Sequence, residues 1–107
     1  MGIWETREAT FEKILEIDAS LRFRSLARRN KLVGLWAAEK LGLNGDAASQ
    51  YARELVGVQV GKDDDEALAA WLGHELSSLE PPLSAHRIRR RIDEMTLRAA
   101  KEIFEGK

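Results

Sequence analysis

The chain contains no cysteine, so neither a disulfide framework nor a thiolate metal site can be built from it. That usage fits a reducing compartment. Proline occurs only as the adjacent pair Pro81-Pro82, which leaves the first three quarters of the chain without its strongest helix breaker. No apolar run approaches the roughly 20 residues that a bilayer span needs, and the opening residues are too polar for a secretory signal. Aromatic residues make up only 7% and are not interleaved with the basic ones, which argues against a stacking platform for nucleic acid. Neither sign of charge dominates. The 17 basic and 18 acidic residues leave a net charge of -1, which excludes a wholly basic nucleic-acid binder. Nucleophile elbow, P-loop and dinucleotide fingerprint are all missing, so an enzyme is not expected.

What is present fits one small globular domain. A length of 107 residues bounds the chain to a single core, which at this size buries roughly 65% of the unfolded surface. Hydrophobic residues at 44% against charged residues at 33% are enough to form that core. Met1-Gly2-Ile3-Trp4-Glu5-Thr6 fits the loose N-myristoylation pattern, which is short enough to occur by chance. β-Branched residues are few. The one alternating piece, Val56-Gly57-Val58-Gln59-Val60, has no partner strand and reads as a helix end running into a loop.

The fold class expected is therefore all-α, a small four-helix bundle with a long central first helix and an amphipathic segment before it. From about Leu21 to Leu41, Phe23, Leu26, Asn30, Val33, Ala37 and Leu41 recur at steps of three and four and share a face. A second strip holds Leu21, Leu32, Leu35 and Trp36, so around 32–38 the helix is apolar nearly all round and must be covered by several others. Gly34 in its interior costs about 1 kcal/mol relative to alanine, which a closely approaching neighbour would offset. Gly42 and the Asn44-Gly45 turn stop it.

Asn44 is expected to cap the next helix, with Ala48, Tyr51, Ala52, Leu55 and Val56 as its buried stripe and Gly57 and Gly61 loosening the chain after it. Asp63 with Glu66 has capping-box spacing for a third helix, which buries Leu68, Trp71, Leu72, Leu76 and Leu79 and ends before Pro81. Ser84 caps the last helix, whose inner face carries Ile88, Ile92, Met95, Ala99 and Ile103. Leu97 and Phe104 fall opposite, either covered by the N-terminal segment or left as a contact patch. Before Leu21, Trp4, Phe11 and Leu15 make one stripe with Ile14 and Ile17 beside it. Such a short amphipathic helix needs a surface to fold against, its own body or a partner's groove.

The candidates for chemistry are weak. His74-Glu75 has Ser78 where a zinc helix needs its second histidine, and His74 points away from the apolar stripe. His86 reads as a local residue. The acids at 63–66 lack the spacing and turn glycine of a calcium loop, and capping accounts for them. The basic clusters say more. Arg22, Arg24, Arg28, Arg29 and Lys31 form one, and Arg87, Arg89, Arg90 and Arg91 another. Solvated helix faces are the ordinary reading of such clusters. If the two meet in space, their forked donors suit phosphate or carboxylate.

The run Ala27-Arg28-Arg29-Asn30-Lys31-Leu32-Val33-Gly34-Leu35-Trp36-Ala37-Ala38-Glu39-Lys40-Leu41-Gly42-Leu43 closely resembles the signature of the zeta subunit of alphaproteobacterial F-type ATP synthases. Arg7-Glu8, Phe11-Glu12-Lys13, Asp18, Leu21-Arg22-Phe23, Ser84-Ala85-His86 and Arg89-Arg90-Arg91-Ile92-Asp93-Glu94 are also similar. The likeness is specific through 7–43, loose over 44–83 and moderate afterwards. It implies a regulatory four-helix protein, cytoplasmic and held at the inner membrane through the synthase. In some zeta subunits the N-terminal segment folds as a helix into the catalytic head and blocks ATP hydrolysis; in others that action is weak. Some bind adenine nucleotide on the helical body.

Carried over, the resemblance implies an inhibitory segment at 1–18 and a helical domain at 19–107. Trp4, Phe11, Ile14 and Leu15 would anchor the segment, and Arg7, Glu8, Glu12 and Lys13 would set its register. No cofactor is required. ADP or ATP is an expected ligand of the alternative, non-inhibitory reading, with Arg22, Arg28, Arg29 and Arg90 on its phosphates and Trp36 as the neighbouring aromatic. Ile3-Trp4 and Ile14-Leu15-Glu16-Ile17 are bulkier than the family pattern leads one to expect. Either the helix grips its groove harder, or it packs on its own body.

Overall fold

The computed structural model describes residues 19–59 and 64–106. It is all-helical over these residues: α1 spans Ala19–Lys40, α2 Gly45–Gln59, α3 Asp65–Glu75 and α4 Ala85–Phe104. The four-helix expectation holds. α1 is central, packing against both α2 and α4, while α3 lies on α4. Arg28 early in α1 meets Glu102 late in α4, and Trp36 late in α1 meets Arg91 early in α4, so the two helices run antiparallel.

The core draws on every helix: Val33 and Ala37 from α1, Leu55 from α2, Leu68 and Leu72 from α3 with Leu76 just past its end, Ile88 and Ile92 from α4. Burying each of the larger aliphatic side chains stabilises the fold by about 1.5–3 kcal/mol. Trp36, Leu41, Tyr51, Trp71, Leu79 and Met95 pack around them half-buried. The inner stripes read from helical spacing on α2, α3 and α4 are thus the observed ones.

Gly34 is where α1 and α2 cross most closely. A β-carbon there would stand 2.8 Å from Ala52 Cα, so the crossing exists only because the side chain is absent. α1 ends in a Schellman motif: Gly42 has φ +80, its N–H donates to Glu39 O at 3.0 Å, and Leu43 N–H donates to Ala38 O at 2.9 Å. Asn44 immediately precedes α2, and its carbonyl accepts from Ala48 N–H at 3.4 Å. Ser84 caps α4, its hydroxyl accepting from Arg87 N–H at 3.1 Å.

Three expectations need correction. The cap of α3 is Asp64, one residue later than the capping-box reading, with Oδ1 accepting from Glu66 N–H at 2.9 Å and Ala67 N–H at 3.3 Å. Asp63, Val60 and Gly61 lie outside the described residues. Gly57 does not loosen the chain: α2 continues through it to Gln59, the cost of one interior glycine being only about 1 kcal/mol. Phe23 shares the line of Asn30 and Ala37 yet is 60% exposed. Glu102, two residues before the end of α4, already faces Arg28, so little of α4 is left to cover the start of α1. On the outer side of α4, Leu97 is half-buried and Phe104 exposed.

Candidate functional site

The two basic clusters meet, but an acid stands between them. Arg29 is buried, 1% exposed, although its spacing on α1 was equally compatible with a solvated face. Its Nη1 donates to Asp65 Oδ1 at 2.5 Å and its Nε to Asn30 Oδ1 at 3.1 Å. Asp65 Oδ2 lies 3.7 Å from Arg89 Nη2. One carboxylate in the first turn of α3 therefore joins α1 to α4, and Asn30 finds its partner in the same group. Arg28 is engaged elsewhere, donating to Glu102 at 3.3 Å, and Arg98 donates to the other oxygen of Glu102 at 3.1 Å. The hydrogen bond from Arg98, helped by Arg28, holds the Glu102 carboxyl below its usual range against the opposing effect of burial.

The second feature is a cleft of about 250 Å³ between the last turns of α1 and the first half of α4. Trp36 and Lys40, one helical turn apart, form its α1 wall. Arg87, Arg90, Arg91 and Glu94 line the α4 wall at the spacing of a single stripe, and Leu83 closes the end. The Arg91 guanidinium sits 5.6 Å from the centroid of the Trp36 ring, a cation–π contact. Glu94 is shared, 3.1 Å from Arg91 and 3.6 Å from Arg90. Among the described residues no carboxylate pairs with Lys40 or Arg87. The cleft thus holds four cations against one acid, with an indole as part of its floor. The indole N–H of Trp36 is buried without a hydrogen-bond partner among the described residues.

Of the residues expected on a nucleotide, the structure brings together Trp36 and Arg90 only. Arg29 is committed to Asp65, Arg28 to Glu102, and Arg22 stands exposed in the second turn of α1, outside the cleft lining. Lys40, Arg87, Arg91 and Glu94 were not singled out for this site. The 87/90/91/94 spacing is the signal for Arg87, Arg91 and Glu94, whereas Lys40 stands one turn beyond Trp36 on α1. His74 and His86 are exposed, and among the described residues no three potential ligands come together to hold a metal ion. Trp4, Arg7, Glu8, Phe11, Glu12, Lys13, Ile14 and Leu15, expected to contact a partner, lie outside the described residues.

A further polar contact joins α2 to α3. Tyr51 of α2 donates its hydroxyl to Glu75 of α3 at 2.9 Å, and its ring meets Trp71 at 6.1 Å. Burial, then the bond to Glu75 and the nearby negative charge, push the phenol well above its ordinary range, so it stays a donor through neutral pH.

Among the described residues no helix is long and apolar enough to cross a membrane. Neither curated proteins nor solved structures yield a match. A family model does, over residues 1–102, from the opening segment to within two residues of the end of α4. The chain belongs to the family of the ATPase inhibitor subunit zeta.

Proposed function

We propose that this chain inhibits ATP hydrolysis by an F-type ATP synthase, and that residues 1–18 act by inserting as a helix into the catalytic head. The observation that carries the reading is the extent of the family match, which runs from residue 1 through the Trp4, Phe11 and Leu15 stripe to residue 102. An inhibitor of this kind needs no chemistry of its own. A docked helix blocks turnover when it binds one rotary state better than the others. The bundle serves as carrier, with α1 beginning at Ala19, directly after the segment in sequence.

The energies bound this mechanism. Trp4, Phe11, Ile14 and Leu15 would gain about 1.5–3 kcal/mol each on full burial. Ordering the segment costs about 2–5 kcal/mol, and association of two bodies costs at least about 4 kcal/mol more. These gains and costs are of the same size, so a contact from the bundle strengthens the complex.

The test is hydrolysis by the cognate ATPase with the full chain and with a chain lacking residues 1–18. Inhibition by the first and none by the second supports the proposal. Undiminished hydrolysis with both removes it. The alternative, a non-inhibitory module for adenine nucleotide, draws on the cleft, where Trp36 and Arg90 stand together. Its support is narrower, because Arg28 and Arg29 spend their charge on acids of the bundle.

A further inference from the structure

We infer that the Trp36–Arg87 cleft is a second grip on the ATP synthase, taking an acidic segment of the partner whose paired carboxylates meet Lys40 and Arg87. This rests on the reading above that the ATPase is the partner. The charge balance points to an anion: Arg90 and Arg91 share Glu94, whereas Lys40 and Arg87 have no carboxylate among the described residues. Both are exposed at the mouth of the cleft, at the end of α1 and in the first turn of α4.

Three observations favour carboxylates of a polypeptide over a polyphosphate. Glu94 shows that a carboxylate is held here, against two arginines at 3.1 and 3.6 Å. At the start of α4 the Arg87 N–H is already taken by the Ser84 hydroxyl at 3.1 Å, which leaves fewer backbone donors for a phosphate. At about 250 Å³ the cleft is smaller than a typical small-ligand pocket, yet it admits the ends of two acidic side chains. Their methylenes would lie on Trp36 and Leu83, and the forked donor of Arg87 suits a two-oxygen acceptor.

Position adds a consequence. Trp36 stands about 25 Å along α1 from Ala19, at 1.5 Å per residue, so the cleft lies at the far end of α1 from the point where the segment joins it in sequence. Two contacts separated by a rigid helix bind as a linked pair, the first raising the local concentration of the second.

The experiment measures binding of the full chain to the purified cognate ATPase between 50 and 300 mM NaCl, for the wild type and for K40E/R87E. The helix content and melting of the variant are checked by circular dichroism. Both positions are exposed, and glutamate in the first turn of α4 suits the helix dipole. The expected result is wild-type affinity that falls by tenfold or more across the salt range. The variant binds at least tenfold more weakly at 50 mM with a flattened salt dependence. Equal affinity and equal salt slope for both overturn the proposal while leaving the inhibitor reading intact. No binding by the wild type overturns the inhibitor reading and this proposal with it. In a parallel titration of the free chain, ADP below 1 mM that shifts the Trp36 indole resonance in the wild type but not in the variant, with ATPase binding unchanged, assigns the cleft to nucleotide and also overturns it.

Discussion

The guanidinium of Arg29, buried on α1, is held by the carboxylate of Asp65 in the first turn of α3. Arg29 lies within the stretch that carries the family resemblance, and Asp65 within the stretch where that resemblance is loose. The pair also reaches α4 through Arg89. Removing a partner from a buried ion pair leaves a charge without compensation, at a cost of about 3–5 kcal/mol. Asp65 is one-third exposed, so solvent screening brings the cost below that range. Asp65→Asn is expected to lose about 2–3 kcal/mol in urea unfolding, and Arg29→Met added to it to recover part of the loss. Stability unchanged in Asp65→Asn would show that Arg29 does not depend on this contact.

Gly34→Ala separates helix propensity from packing. Alanine favours the helix by about 1 kcal/mol, but its β-carbon would meet Ala52 backbone at 2.8 Å and Leu55 at 3.3 Å. Spreading α1 from α2 outweighs the gain, since overpacking of this kind costs about 1–3 kcal/mol. A lower melting temperature is expected. A higher one would mean that the crossing yields easily.

Glu102 supplies a pH dependence with a definite sign. Its folded pKa lies below the ordinary 4.5, so its contribution is complete above that value and is lost as the pH falls through the folded pKa. Its side chain is about one-quarter exposed, which holds the effect to about 1 kcal/mol or less. Urea midpoints of the wild type and Glu102→Gln are expected to differ at pH 7 and to draw together as the pH falls below 4.5. A constant difference across that range would contradict the assignment.

Much of this bundle was legible because apolar spacing is local information. The inner stripe of α4, the close approach at Gly34, the glycine stop after α1 and the Ser84 cap each depend on a few neighbouring residues. Capping-box spacing points one residue too early for the cap of α3 because four consecutive acids have the same propensity, and only the backbone decides that Asp64 caps and Asp65 turns inward. The arginines could not be sorted by composition. Arg29 is buried and Arg90 exposed because α3 brings an acid to one and nothing to the other but its own helix neighbour. Phe23 shows the same limit: its face was readable, whereas the point at which α4 ends beside it was not.

The central claim is that the apolar stripe near the start of the chain does the inhibiting. The most direct measurement titrates the cognate ATPase with the full chain and with Phe11→Asp/Leu15→Asp, following ATP hydrolysis. Circular dichroism and melting of both proteins serve as the control for folding. The account predicts that the unaltered chain suppresses hydrolysis and that the variant, at the same concentrations, leaves it running. Equal suppression by both proteins, or suppression by neither, would contradict it.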